Sequence, residues 1–503
     1  LKVRRSAGVL LHITSLPGDF GIGGFGREAE SFAKKLKEAG MGYWQVLPFT
    51  NPGSGDSPYQ SDSAFAGSPL LIDPEDLFEK KLLSKEDLQN CKYPGSCYSV
   101  DYAWVRENRM EMLKKAFSRA DDEIRKDMQK FLKENAWAKD VIVFQAIKET
   151  QGQKAWWEWD DKALQKHDAK TIGDFEKDHR ELCDFYLFIQ YIFFSQWTKL
   201  KSKINEIGIK VIGDIPIYVS GDSCDVWANR NLFQMNKDGS FKSVAGVPPD
   251  YFCEDGQLWG NPVYDWTAHE KENYAWWLQR LHQNFKLYDV IRIDHFRGFS
   301  RFYACAADAE NARNGKWYPG PGMKLWNRIF DEFGREPAIF AEDLGETDDE
   351  LISFLQETGL PTMRVLQFGM VPHDDSKHMP HNYPENCIAY TGTHDNNTLL
   401  GWLWEASEED RKFALEYCRF HGDNWGDGGV HAPACRAMLT TVWSSAAKLA
   451  IAPLQDVMGF GSDTRMNAPG MPTGQWRIRF GADSISQMDT KWLSKLNWVY
   501  KRF

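Results

Sequence analysis

The chain has 503 residues, 42% of them hydrophobic, and a formal net charge of -11 at pH 7. That acidity excludes a nucleic-acid footprint, which needs a basic face, and no apolar run approaches the roughly 20 residues of a membrane span. The length allows two or three average domains or one long barrel.

Taken in chain order, eight short β-rich runs end in turn residues. They are GVLLHI from Gly8, YWQVLPF from Tyr43, IKVIGDIP from Ile209, DVIRID ending at Asp294, AIFAED from Ala338, TMRVLQF from Thr362, CIAYTG from Cys387 and LAIAPL from Leu449. Helical patterns precede most of them, at about residues 28–40, 188–208, 275–285, 324–334, 349–359 and 436–448. Several close on glycine, the usual residue just past a helix end. Such alternation predicts one catalytic (β/α)8 TIM barrel across residues 1–503, with its site at the C-terminal strand ends. Roughly 160 residues separate the second and third strands and about 75 the third and fourth, far more than ordinary connections need. Amphipathic helices fill the first gap and predict a helical insertion subdomain over residues 75–195. The second gap, rich in Gly, Pro and aromatics (VAGVPPDYFCEDGQLWGNPVYDW), predicts a substrate-covering loop subdomain over residues 215–285.

Acids mark the strand ends. Asp214 lies in the third strand, Asp294 closes the fourth, Glu342 closes the fifth, and Asp395 lies just beyond the seventh. Burying an ionised acid among apolar residues costs several kcal/mol unless it is paired or its pKa shifts. Taken singly, each could merely pair with an arginine, as Asp294 could with Arg292 or Arg297. Together on one rim they predict a shared site. The chain also carries 21 Trp, and Trp156, Trp157, Trp159 and Trp259 sit in polar or Gly/Pro-rich stretches, where flat rings suit the apolar faces of sugars. Acids beside loop aromatics point to chemistry at a glycosidic bond.

Other patterns point elsewhere and fall away. Gly21, Gly23 and Gly26 match the dinucleotide-binding spacing, but the next strand ends Val46-Leu47-Pro48-Phe49 without the acid such a site needs. We read the run as a backbone turn over the barrel rim. His378 and His381 lack a third metal ligand nearby and read as loop histidines. No phosphate-binding GK[ST] loop and no GxSxG elbow occurs. Nine scattered cysteines without a CxxC pair fit free thiols in a reducing compartment. Basic residues precede the apolar start, but His12, Thr14 and the lack of a small-residue cleavage site argue against a signal peptide. The chain opens on Leu1 rather than Met, so we expect it to have been trimmed.

The motifs then become specific. GDSPYQSDSAFAGSP from Gly55, VAGVPPDYF from Val244, GQLWGNPVYDW from Gly256, VIRIDHFRGF, AEDLG and GTHDNNT together resemble the 4-α-glucanotransferases. These are the amylomaltases or disproportionating enzymes of glycoside hydrolase family seventy-seven, in the α-amylase clan. The resemblance runs along nearly the whole chain and implies a retaining, two-step transfer of α-1,4-glucan segments between malto-oligosaccharides or starch-type chains. It implies Asp294 as nucleophile, Glu342 as general acid and then base, and Asp395 as the residue that grips the distorted sugar. Arg292 would favour an ionised nucleophile. Ser57, Tyr59, Asp214 and His394 would bind sugar near the scissile bond. Asp250, Tyr251 and Phe252 would form a lid, with Trp259 and Asn261 nearby, and the loop from Gly459 to Gly470 would border the groove opposite. No metal or organic cofactor, nucleic acid or membrane is implied. The setting would be intracellular, either cytoplasmic or a plastid stroma. No extra domain is expected ahead of the barrel. Gln475 and Ile478 depart from the Asn and Trp expected there, which bears on the packing of the last loop. An α-glucan hydrolase of the same clan would use the same three acids, whereas a non-catalytic glucan-binding barrel would not need them.

Overall fold

The structure is a computed structural model describing residues 4–249, 254–345, 347–471 and 473–503. Its strands are β1 (Ser6–Leu10), β2 (Tyr43–Gln45), β3 (Lys210–Ile215), β4 (Ser243–Val247), β5 (Gln257–Pro262), β6 (Val290–Ile293), β7 (Arg301–Ala306), β8 (Lys316–Pro319), β9 (Ile339–Ala341), β10 (Thr362–Val365), β11 (Cys387–Tyr390) and β12 (Leu449–Pro453). Eight close into a parallel barrel in the order β1-β12-β11-β10-β9-β6-β3-β2. They are the eight runs expected from the sequence. β1, β2, β6, β9, β11 and β12 are buried along their whole length, which is why they read as apolar runs rather than alternating ones.

The helices between them follow equally simple rules. Arg27–Glu38 buries Ala29, Phe32, Ala33 and Leu36, one face at helical spacing, with Glu28 and Glu30 in its first turn and Lys35 and Lys37 in its last. Those charges complement the helix dipole. Between β2 and β3, the side chains of Asp73, Ser84, Asp101, Asp121, Asp161 and Asp168 each cap the start of a helix, satisfying amides that have no partner within the helix. The last helix of that stretch, Arg180–Ile207, runs unbroken past residue 195 and stops at Gly208, whose φ of 94° is the left-handed cap.

One sheet was not foreseen. β5-β4-β7-β8 form an antiparallel layer, its first two strands inside the 215–285 segment and its last two after β6. Gly246 and Pro262 sit in this layer, and the β4–β5 register shifts between Val244 and Gly246. Glycine and proline weaken any strand signal in the sequence, yet here a side chain at Gly246 would strike the Gln257 carbonyl.

The tryptophan-rich AWWEWDD stretch also departs from expectation. Trp156 and Trp159 are 1% exposed, and only Trp157, at 41%, faces solvent. Trp156 donates its indole N–H to Gly221 O and Trp159 to Lys154 O, so each ring is buried with its one donor satisfied. In GIGGFG, Gly23 lies against the Ile13 carbonyl and Gly26 precedes the first helix, a close backbone turn. Among the described residues, no helix is long and apolar enough to cross a membrane.

Barrel geometry imposes its own glycine. In β3, any side chain at Gly213 would run into the ring of Tyr288, whose hydroxyl accepts from Phe49 N–H. Gly213→Ala is therefore expected to destabilise the fold by about 1–3 kcal/mol through overpacking. Urea unfolding should show a lower midpoint with an unchanged slope.

Candidate active site

Register brings the acids together. β3 pairs with β6 so that Asp214 lies beside Arg292, and β6 pairs with β9 so that Ile293 lies beside Ala341. Asp294 and Glu342 follow one residue later and leave the rim side by side. Their backbones are still held by the sheet, Asp294 N–H donating to Ile215 O and Glu342 N–H to Ile293 O.

Arg292 is the hub. Its side chain is 4% exposed, and one terminal nitrogen lies 2.7 Å from Asp214 Oδ2. The other lies 2.9 Å from Asp294 Oδ1 and 4.0 Å from Glu342 Oε2. Those two contacts cap the separation of the nearest acid oxygens at about 7 Å. That admits the ~5–5.5 Å spacing of a retaining pair. Burial would lower the guanidinium pKa, but Asp214 and then Asp294 hold it well above its ordinary value. Burial pushes the Asp214 carboxyl up while Arg292 pulls it back, and Tyr59 O–H donates to its Oδ2 at 2.8 Å.

The two acids at the strand ends sit in unlike surroundings. Glu342 is nearly enclosed and accepts from His295 N–H at 2.7 Å and Leu344 N–H at 2.6 Å. Its carboxyl is pushed up to about 7, chiefly by burial and further by the Asp294 charge, against Arg292 and the two amides. Asp294 is 29% exposed, open to a substrate. Between them His295 adopts φ 47°, a left-handed conformation that non-glycine residues visit rarely, mostly in turns and at functional sites. That turn aims its amide at Glu342. The His295 ring stands edge-on to Trp259, 4.8 Å between centroids, and burial holds its pKa down to about 4.

Asp395 arrives on the loop after β11. Its Oδ1 accepts from Asn467 Nδ2 at 2.6 Å and lies 3.3 Å from His394 Nε2, while Arg465 donates to its carbonyl at 2.6 Å. The His394 ring stacks on Tyr59 at 5.2 Å and 14°, and Trp476 adjoins both. Burial, then the charges of Asp214, Asp294 and Asp395, hold the Tyr59 phenol well above its ordinary value. The residues expected at the sugar thus surround Tyr59.

Other expected residues take supporting places. Ser57 accepts from Tyr59 N–H. Asn261 donates to Val219 O and accepts from Gln60, tying two loops rather than touching an acid. Asp250, Tyr251 and Phe252 lie outside the described residues. Trp476 and the amides of His295 and Leu344 were not anticipated, because a backbone donor leaves no mark in a sequence. Arg465 and Asn467 fall in the loop flagged from Gly459, but nothing there names Asp395 as their partner. Gln475 accepts from Ala468 N–H at 2.7 Å and so braces Asn467, while Ile478 bridges to Ser99. The departures at both positions are accommodated. His378 accepts from Val365 N–H and His381 contacts the Tyr417 hydroxyl. Among the described residues, no three His, Cys, Asp or Glu side chains are grouped to hold a metal ion.

An acid protonated near neutrality beside an accessible carboxylate is the pairing that glycosidic chemistry uses. Comparison with known proteins agrees. Residues 11–483 match the glycoside hydrolase 77 family model, described as 4-alpha-glucanotransferase. A 4-alpha-glucanotransferase of Aquifex aeolicus is 42% identical over 504 residues, 99% of each chain, and one of Streptococcus pneumoniae serotype 4 is 40% identical over 503, 99% of this chain and 98% of that one. The solved structure of an amylomaltase from Streptococcus agalactiae in complex with acarbose superposes with a TM-score of 0.95 at 39% identity, covering 99% of this chain and 100% of that one.

The raised Glu342 carboxyl makes stability depend on pH. Its folded pKa of about 7 exceeds the ordinary 4.5, so the ionised form burdens the fold fully above pH 7 and not at all below pH 4.5. Each pKa unit is worth about 1.4 kcal/mol. Glu342→Gln should therefore gain stability over the parent by a few kcal/mol between pH 4.5 and pH 8. Urea unfolding of both proteins at the two pH values checks this, and a constant difference would contradict it.

Proposed function

The chain belongs to the 4-alpha-glucanotransferase family, glycoside hydrolase 77, and from that premise we propose how Asp294, Glu342 and Asp395 carry the reaction. The enzyme moves α-1,4-glucan segments from donor to acceptor chains. Glu342 protonates the glycosidic oxygen while Asp294 attacks the anomeric carbon, releasing the leaving chain and forming a β-glucosyl ester. Arg292, 2.9 Å from Asp294, orients the attacking carboxylate. Asp395 holds hydroxyls of the distorted sugar and offsets the oxocarbenium-like charge.

The same geometry prepares the second step. The Asp294 charge helps raise Glu342. Once Asp294 is esterified that charge is gone, and the Glu342 carboxyl falls toward its ordinary range. It then serves as base for the 4-hydroxyl of the acceptor, whose attack on the anomeric carbon frees Asp294. The observation that carries this assignment is the single guanidinium reaching Asp214, Asp294 and Glu342.

Tyr59, His394 and Asp214 would contact the sugar at the bond, with Trp259 and Asn261 framing the groove. The segment over residues 215–285, including Asp250, Tyr251 and Phe252, would cover the intermediate and favour a glucan over water. The helical insertion over residues 75–195 would support the opposite side through the loop carrying Tyr59. Malto-oligosaccharides and starch-type chains are the substrates assigned. Seven of the eight described cysteines are buried and all eight are free thiols, which supports an intracellular, reducing setting.

Maltotriose separates transfer from hydrolysis. The expected products are glucose plus longer chains without a net gain of reducing ends, whereas a hydrolase of the same clan would raise the reducing-end count. Glu342→Gln should lower turnover by about 10²–10⁴-fold, and Asp294→Asn at least as far, both with maltose affinity spared in a calorimetric titration. Full turnover in either variant would overturn the roles assigned.

A further inference from the structure

Behind the Asp395 loop lies a carboxylate that the reaction does not use. Asp456 is 1% exposed, in the short helix Leu454–Met458 that directly follows β12. Its Oδ2 accepts from the Thr391 hydroxyl at 2.5 Å and its Oδ1 from Leu399 N–H at 2.7 Å. Thr391 follows the last residue of β11, and Leu399 begins the helix Leu399–Glu405. One buried side chain thus grips both ends of the segment that carries His394 and Asp395. Among the described residues no cation lies against it, a costly state for a buried acid. Burial pushes its carboxyl up to about 7 against these two donors.

The middle of the loop is tied to the 459–470 loop, through Asn467 N–H to His394 O, Arg465 to Asp395 O, Asn467 to the Asp395 carboxylate and Asn397 to Ser462, whereas its two ends meet at Asp456. Inside it, Asn396 accepts from Thr393 and Thr393 accepts from Asp395 N–H, bonds that shape the turn without fixing it to the barrel. From outside, Gln367 donates to Asn397 O at 2.8 Å. Beneath the loop is a cavity of about 20 Å³ bordered by His12, His394, Gln455, Asp456, Arg465 and Met466. The neighbouring Gln455 donates to Thr464 O at 3.0 Å, holding the loop whose Arg465 and Asn467 touch Asp395.

We propose that Asp456 is a positioning residue for glucan transfer, a clamp that closes the segment from Thr391 to Leu399 so that Asp395 and His394 face the sugar. The inference rests on the role of Asp395 proposed above. Removing the clamp leaves the chemistry of Asp395 intact but loosens its aim, and a displacement near 1 Å costs about 10²-fold when geometry is the catalyst.

The test compares Asp456→Ala, Asp456→Asn, Thr391→Val and Asp395→Asn with maltotriose, turnover being expressed per mole of folded protein by circular dichroism. Asp456→Ala should lower kcat by about tenfold to a hundredfold with KM within about threefold of the parent. Asp456→Asn should recover most of that loss, since its amide oxygen can accept from Leu399 and its NH2 can donate to Thr391. A purely structural role would lower the melting temperature of Asp456→Ala but leave the turnover of folded enzyme unchanged. Turnover of folded Asp456→Ala within about twofold of the parent, or an Asn variant no better than Ala, overturns the proposal. If Asp456→Ala does not fold, Thr391→Val decides: a fall in kcat of about three- to tenfold supports the clamp, and no fall overturns it. Full turnover in Asp395→Asn would remove the role of Asp395 and the clamp's purpose with it. An inactive Asp395→Asn beside an unimpaired Asp456→Ala would remove the clamp alone.

Discussion

One guanidinium at the barrel mouth sets the terms for everything around it. Arg292 is almost wholly buried, and a buried cation is stable only if acids compensate it. Asp214 does so from the next strand at 2.7 Å and Asp294 from its own strand end at 2.9 Å, while Glu342 stands off at 4.0 Å. Inequality among the three partners is what matters. The acid farthest from the charge, and far less exposed than Asp294, has the carboxyl raised to about 7, even though two backbone amides bind it. A symmetric cluster would leave all three acids alike and supply no separate proton donor.

Around this hub, loops from distant parts of the chain are held by small polar bonds. The loop carrying Tyr59 is tied by Tyr59 to Asp214, by Gln60 to Asn261, and by Ala64 N–H to the buried Asp225. The ends of the Asp395 loop donate two bonds to Asp456, Gln367 donates to Asn397 O, and Arg465 and Asn467 meet Asp395 from the other side. Barrel strands supply rigidity at the base, and the loops supply the chemical groups. This is the usual division of labour in a (β/α)8 fold.

Legibility in the sequence followed the same division. All eight barrel strands are legible, because burial on both faces makes most of them apolar runs and each ends abruptly in turn residues or an acid. Asp294, Glu342 and Asp395 stood out because charges there contradict their surroundings. The β5-β4-β7-β8 layer was missed, since SVAGV and QLWGNP carry glycine and proline inside strands that hydrogen bonding alone recommends. The polar stretch around Trp156 and Trp159 suggests loop rings suited to the faces of sugars, but both rings are buried. In space Trp159 packs on Phe144 and Trp227, and Trp156 lies beneath the Arg230 guanidinium.

Local chemistry, then, was enough to identify the strands, their order along the barrel and the acids at their ends, because periodicity and misplaced charge are properties of adjacent residues. Family membership followed from motifs of the same local kind. The partner of each group came from elsewhere: Arg292 choosing among three acids, His295 turning its amide toward Glu342, Asn467 reaching Asp395. Apart from Arg292 with Asp294, these contacts join residues tens of positions apart, and the differing burial of two neighbouring carboxyls is an outcome of packing. No reading of neighbours along the chain contains either quantity.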